Sequence, residues 1–219
     1  MMGQPSAIPP SAIRGVCMIV THVLSSHYPE SFNGQLLRRF DKSLRGLGVE
    51  TWTFDLYAMD FDPVMRGEDF NPFFGSPPPR EIQDFQQQVG KSDVLTFFYP
   101  VWWNDYPAIV KGWIDRVFSK GFAYDLTESG YVGKLKLRKV LLVCTLGNER
   151  EEVVNSGLED AMRLKEARGV FGYCGVECVE HHFLYSVYKD EATRTGYLEK
   201  MERLAHGLLP PTLAEEGRT

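Results

Sequence analysis

The chain has 219 residues, enough for one domain with a sizeable core, and its 43% hydrophobic and 24% charged residues are ordinary for a globular protein. A net charge of -5 leaves no basic surplus to displace phosphate counterions, which argues against a nucleic-acid binder. No apolar run reaches the roughly 18 residues of a membrane span.

Met1 to Arg14 carries Pro5, Pro9 and Pro10 among small residues and no apolar signal core. It is expected to be a loose tail on a cytoplasmic protein. Val16 to Thr21 is a continuous apolar run of strand length. Leu36, Leu37, Phe40, Leu44 and Leu47 then recur at helical spacing, with Ser31 or Asn33 as the cap and Gly48 as the stop. Val49 to Phe54 forms a second strand. A segment rich in Pro, Gly, Asp and Phe follows from Asp55 to Pro79; irregular loops of that length are more often functional than decorative. Ile82, Phe85 and Val89 mark a helix, and Asp93 to Tyr99 a third strand. Pro107 suits the first turn of a helix whose inner face is Val110, Trp113, Ile114 and Val117. Val140 to Thr145 is the fourth strand, a helix runs through Leu158, Met162 and Ala167, and Val176 to Tyr185 is the fifth strand. The last helix carries Tyr197, Met201, Leu204 and Leu208 and ends at Pro210-Pro211.

Continuous apolar strands alternating with helices imply an α/β fold, a parallel sheet covered on both faces. Five such units fit a flavodoxin-like three-layer sandwich with a five-stranded parallel sheet in the order 2-1-3-4-5. One such domain is expected over residues 15–208, between tails at 1–14 and 209–219. In that order a ligand crevice lies beyond the carboxyl ends of strands 1 and 3, where the winding direction switches. The loops to inspect are therefore 22–33 and 100–106.

The first of these loops, His22 to Asn33, opens onto a helix whose unpaired N–H groups and positive dipole end can hold a phosphate without a lysine. Ser31 can equally be an N-cap alone. In the second, Tyr99-Pro-Val-Trp-Trp-Asn-Asp-Tyr-Pro107, two adjacent tryptophans at a strand's carboxyl end need a large flat surface. A core plug or subunit contact can supply one, but the crevice lies at the same place and an isoalloxazine ring fits it. After strand 4, Gly147 lets backbone N–H groups approach a ligand edge. Other conspicuous residues read as background. Lys134, Lys136, Arg138 and Lys139 look like a solvated turn and Glu149 to Glu152 a solvated helix start. Cys17 and Cys144 lie in apolar runs and read as buried reduced thiols. Cys174, Cys178, His181 and His182 lack the paired spacings of structural zinc, so no metal is expected.

Taken together these loops resemble the NAD(P)H:quinone reductase family of flavodoxin-like proteins. The strongest likeness runs from Tyr99 to Tyr124, similar to the family's P-x-x-W-x-x-x-P-A-x-x-K-G-W-x-D-R-V-F-x-x-G-F-A-Y signature. Ser31-Phe32-Asn33, Asp55 to Pro63 and Phe183-Leu-Tyr-Ser-Val add to it. The resemblance implies that His22, Ser31, Phe32 and Asn33 hold the phosphate region of a flavin. It implies that Pro100, Val101, Trp102, Trp103 and Asn104 run along the isoalloxazine edge, and that Thr145, Leu146 and Gly147 contact its pyrimidine end. It further implies FAD, with FMN open, NAD(P)H as co-substrate, a quinone-type acceptor and ping-pong kinetics. The backbone of Trp103 and Gly147 would stabilise charge on the reduced ring. The family is homodimeric, so Phe122 and Tyr124 are expected near the partner's site. The Tyr and His that the mammalian members carry after strand 4 are not matched by Gly147-Asn-Glu-Arg-Glu-Glu-Val, so that proton relay does not transfer. Two other readings stay open on this fold: a flavin-binding regulatory subunit, and an azo- or nitro-reductase.

Overall fold

The computed structural model describes residues 18–209. The two expected tails, Cys17 and Pro210-Pro211 lie outside the described residues, apart from Leu209.

Five strands form the main sheet: β1 (Ile19–Leu24), β2 (Glu50–Asp55), β3 (Val94–Pro100), β6 (Lys139–Thr145) and β7 (Val179–Leu184). All neighbours run parallel, in the order β2-β1-β3-β6-β7. The gap in numbering is an antiparallel hairpin of β4 (Tyr124–Thr127) and β5 (Gly130–Gly133) outside that sheet.

Side chains of the central strands alternate between two cores, as a pleated strand requires. Leu95, Phe97 and Tyr99 of β3, with Val140, Leu142 and Cys144 of β6, enter one core. It is covered by α2 (Arg80–Lys91), α3 (Ala108–Val117), α4 (Arg150–Asn155) and α5 (Leu158–Leu164). Val94, Phe98, Leu141 and Val143 enter the other, covered by α1 (Phe32–Gly46) and α6 (Glu191–Gly207). Burial on both faces explains why these strands read as unbroken apolar runs.

Several expected boundaries shift. β1 starts at Ile19 and continues through His22 to Leu24. The polar His22 tolerates a strand interior because Thr96 and Asp41 receive its ring. The helix expected through Leu158, Met162 and Ala167 is interrupted: Gly157, at φ 78°, separates α4 from α5, and residues 165–170 continue as a π-helical turn. Pro107 stands one residue earlier than expected, as the N-cap of α3.

The long segment after β2 contains a 3-10 helix, Gly67–Phe74, and is fastened to α3. Arg116 donates from Nε to both carboxylate oxygens of buried Asp69 at 3.2 Å and from Nη1 to the Asp62 carbonyl at 2.7 Å. Pro63 crosses α3 at Gly112 so closely that a Cβ there would stand 2.2 Å from the Pro63 carbonyl oxygen. The glycine and arginine of the Lys111-Gly-Trp-Ile-Asp-Arg116 stretch thus serve that crossing.

Candidate active site at the carboxyl end of the sheet

The crevice lies where β1, β3 and β6 end side by side, with Pro100 paired to Thr145 across β3 and β6. Below it the chain leaves β1 as Ser25-Ser26-His27-Tyr28 and enters α1. Ser25 N donates to the Phe98 carbonyl at 2.9 Å, which locks the loop to β3. Ser31, not Asn33, is the N-cap: its Oγ accepts from Gly34 N at 3.1 Å and is hydrogen-bonded to Ser26 Oγ. The N–H groups of Phe32 and Asn33, in the first turn, have no intrahelical carbonyl to meet. Asn33 Nδ2 donates to Thr145 Oγ1 at 3.0 Å, joining α1 to the end of β6. Its Oδ1 and the Ser25 Oγ are buried without a hydrogen-bond partner. A buried polar atom left unpaired costs about 1–3 kcal/mol, and these two stand at the carboxyl end of the sheet.

The second wall is a two-residue turn. Trp102 and Asp105 exchange both backbone hydrogen bonds at 3.0 Å, with Trp103 at φ 53° and Asn104 at φ 61° between them. This is the type I′ geometry, which normally takes Asn or Gly. Trp103 pays about 1–2 kcal/mol for a left-handed backbone, and its side chain is 98% exposed. Strain of this kind clusters at functional sites. Trp102 is half-exposed, with the His27 ring 6.1 Å away, and His27 in turn lies 4.6 Å from Tyr28 and 6.3 Å from Tyr57. An aromatic rim results. Val101 N donates to the Thr145 carbonyl at 2.9 Å and Leu146 N to Leu184 at 2.8 Å, so both loops are continuations of the sheet. Gly147 meets the ring of Tyr188, which would touch an added Cβ at 3.4 Å and is itself 87% exposed.

Several of the expected residues meet at this end of the sheet: Asn33 is bonded to Thr145, Pro100 pairs with Thr145, and Val101 and Leu146 lead into the two loops that follow. His22 does not, and this is a correction. It sits inside β1, fully buried between Phe40 and Phe98, with Nδ1 2.7 Å from Thr96 Oγ1 and Nε2 3.4 Å from Asp41 Oδ1. It therefore offers nothing to the loop. Burial pushes its pKa down, against the pull of Asp41, so the ring is neutral. Phe122 lies beside Gly90 at the far end of α2, and Tyr124 packs on Tyr131 and Tyr173, away from these loops. The sequence alone does not single out Ser25 and Tyr188; their one signal is position, just past the ends of β1 and β7.

Behind the tryptophan turn lies a buried polar chain. The Tyr99 hydroxyl is 3.0 Å from His181 Nε2, and Cys144 Sγ is 3.3 Å from the same nitrogen. Burial, helped by nearby Arg163, drives the His181 pKa down to about 3. Burial also pushes the Tyr99, Tyr106 and Cys144 groups well above their usual values, so all stay protonated and neutral. Among the described residues no group of three His, Cys, Asp or Glu side chains is arranged to hold a metal ion, and no helix is long and apolar enough to cross a membrane.

The strand order defines a doubly wound α/β protein, with the loops described above at its switch point. Residues 18–205 match the family described as having the flavodoxin-like fold. A curated protein of Haemophilus influenzae named an uncharacterized NAD(P)H oxidoreductase is 28% identical over 201 residues, covering 90% of this chain and all of that one. The ribosyldihydronicotinamide dehydrogenase [quinone] of Pongo abelii is 30% identical over 173 residues, 70% of this chain and 75% of that one. Among solved structures, the NAD(P)H:quinone oxidoreductase from Methanothermobacter marburgensis superposes with a TM-score of 0.80 at 28% identity, over 89% of this chain and all of that one. The chain belongs to the NAD(P)H:quinone reductase family of flavodoxin-like proteins and is an oxidoreductase.

Proposed function

We propose that the crevice binds a flavin and that the protein passes electrons from NAD(P)H to a quinone or similar aromatic acceptor. The observation that carries this reading is the pair of buried, unpartnered atoms, Ser25 Oγ and Asn33 Oδ1, set between a helix N-terminus and a strained aromatic turn. The residues fit the group. The first turn of α1 with Ser25, Ser26 and Ser31 would hold its phosphate. Asn33 Oδ1 would accept from a hydroxyl, and the turn from Trp102 to Asn104 would flank the ring. When bound, the flavin supplies two-electron transfer between NAD(P)H and the acceptor. The chain's own work is to orient the ring, to aim backbone N–H groups of Trp103 and Gly147 at its polar rim, and to keep the buried groups behind it neutral.

FAD is favoured over FMN by a groove of about 550 Å³ beside the phosphate end, lined by Gln35, Val187, Tyr188, Arg194 and Leu198 among others. It has room for an adenosine. The Arg194 guanidinium stands 4.6 Å over the Phe32 ring at its edge. One crevice serving both substrates in turn gives ping-pong kinetics, read as parallel double-reciprocal lines. We also propose a homodimer, with Phe122 and Tyr124 turned towards the partner; light scattering at twice the 25.0 kDa chain mass would support it.

The test is the absorption spectrum of the purified protein, with heat-released flavin identified by chromatography. Released FAD supports the reading. Released FMN keeps the reductase and removes the groove's role. Protein that takes up neither flavin overturns both. With flavin bound, NAD(P)H oxidation by a quinone, compared with an azo dye at equal concentration, selects the acceptor. No turnover with either would leave a regulatory flavoprotein.

A further inference from the structure

Trp103 and Asn104 hold left-handed backbone angles with no glycine to ease them, so something outside the turn must hold it in place. The structure supplies a clamp. Asp105 closes the turn through its backbone pair with Trp102, and its Oδ1 accepts from Tyr106 N at 2.7 Å. The same Oδ1 is ion-paired with Lys165 Nζ. That ammonium also lies 3.0 Å from Glu166 Oε1 and 4.4 Å over the Tyr106 ring. The other oxygen of Glu166, a residue only 2% exposed, accepts from the Tyr106 hydroxyl. Tyr106 packs edge-on against Tyr99, 4.9 Å between centroids, and Tyr99 is bound to His181. The turn is thus gripped through Asp105 and Tyr106 by two consecutive residues some sixty positions later in the chain. Those residues open the π-helical turn at 165–170. In an α-helix adjacent side chains diverge by about 100°; the wider π turn brings them closer in direction, and π-bulges recur at functional sites.

We propose that Lys165 and Glu166 are positioning residues that hold the Trp102–Asp105 turn in the geometry a bound flavin requires. The proposal rests on the flavin reading for what the turn contacts, but the clamp itself can be measured without flavin. The Trp102 and Asp105 amides are hydrogen-bonded only to each other's carbonyls, so their hydrogen exchange reports whether the turn stays closed. In the flavin-free full-length protein, Lys165→Met should speed exchange in the 102–106 peptide at least tenfold while the β3 peptide 94–100 is unchanged, and Lys165→Arg should restore protection. In flavin titrations Lys165→Met should raise the dissociation constant about tenfold and Lys165→Arg should not. Glu166→Gln keeps the side chain's shape, guards against a Lys165→Met protein that fails to fold, and should give the same changes in smaller measure. Unchanged exchange in both variants overturns the clamp. Faster exchange with unaltered flavin affinity overturns the positioning role. Faster exchange in a protein that never binds flavin leaves the clamp but overturns the functional reading above.

Discussion

Trp103 is a side chain kept where the backbone resists it. Replacing it with glycine removes a left-handed penalty of about 1–2 kcal/mol but adds about 0.5–1 kcal/mol of backbone entropy to the unfolded chain. The two nearly offset, so thermal melts of Trp103→Gly should lie within a few degrees of the parent while flavin affinity falls. A large loss of stability would mean that Trp103 serves the fold. The buried histidines make a different residue-scale prediction. His22 and His181 both have folded pKa values below the ordinary value near 6.5, by burial, with His181 at about 3. As pH drops below about 6.5 the unfolded chain takes up protons that the folded one refuses, so stability is present above that pH and drains away on acidification. Each histidine contributes up to about 1.4 kcal/mol per pH unit. Burial works against the Asp41 carboxylate, but hydrogen bonds from His22, Thr51 and Arg45 outweigh it and hold its pKa well below the usual range. Its stabilisation is fully present above the ordinary carboxylate pKa and is lost as the pH falls below it. Melts from pH 7.5 to 4.5 should show the decline, and His181→Phe should flatten it. An unchanged slope in that variant would mean the ring is protonated in the native state.

At the scale of elements, α3 does two jobs: its inner face fills the core, and Gly112 and Arg116 anchor the segment after β2. Removing one partner of a buried ion pair costs about 3–5 kcal/mol, so Arg116→Met should lower stability by that order and expose residues 57–79 to proteolysis before the rest of the chain. Cleavage that starts elsewhere would show that the segment holds itself. Gly112→Ala should cost about 1–3 kcal/mol by overpacking against Pro63. The same elements show what the sequence makes readable. β3 and β6 stand out as apolar runs because both faces are covered, and the tryptophan turn is legible because Trp-Trp-Asn-Asp-Tyr-Pro interrupts such a run just before a helix. The sequence places β1 three residues too early, because the apolar residues from Val16 look like its start and His22 looks like its end. The β4–β5 hairpin is not legible in the sequence. Its strands are four residues each, and Leu126, Tyr131 and Val132 are exposed, so no alternation betrays them. Lys165, Glu166 and Tyr188 reach the crevice region only through the fold, and no local pattern distinguishes them from surface residues.

At the scale of the whole molecule, a large share of exposed apolar area gathers in the segment after β2 and around the hairpin. Phe74 is 83% exposed, with Phe70, Phe73, Leu126 and Tyr131 also outside. The sheet itself has a consequence for how the protein is made. β1 lies between β2 and β3, yet Ile19 N donates to an Asp93 carboxylate 74 residues further along the chain. At about 5–20 residues per second, a nascent chain spends roughly 4–15 s with β1 synthesised and its β3 partner still unmade. Throughout that interval Val20, Val23 and Leu24, fully packed in the finished protein, have one open edge. A ribosome-bound chain halted after β2 should therefore recruit chaperone more strongly than one halted after α3. Equal recruitment would mean that α1 shields the first βαβ unit by itself.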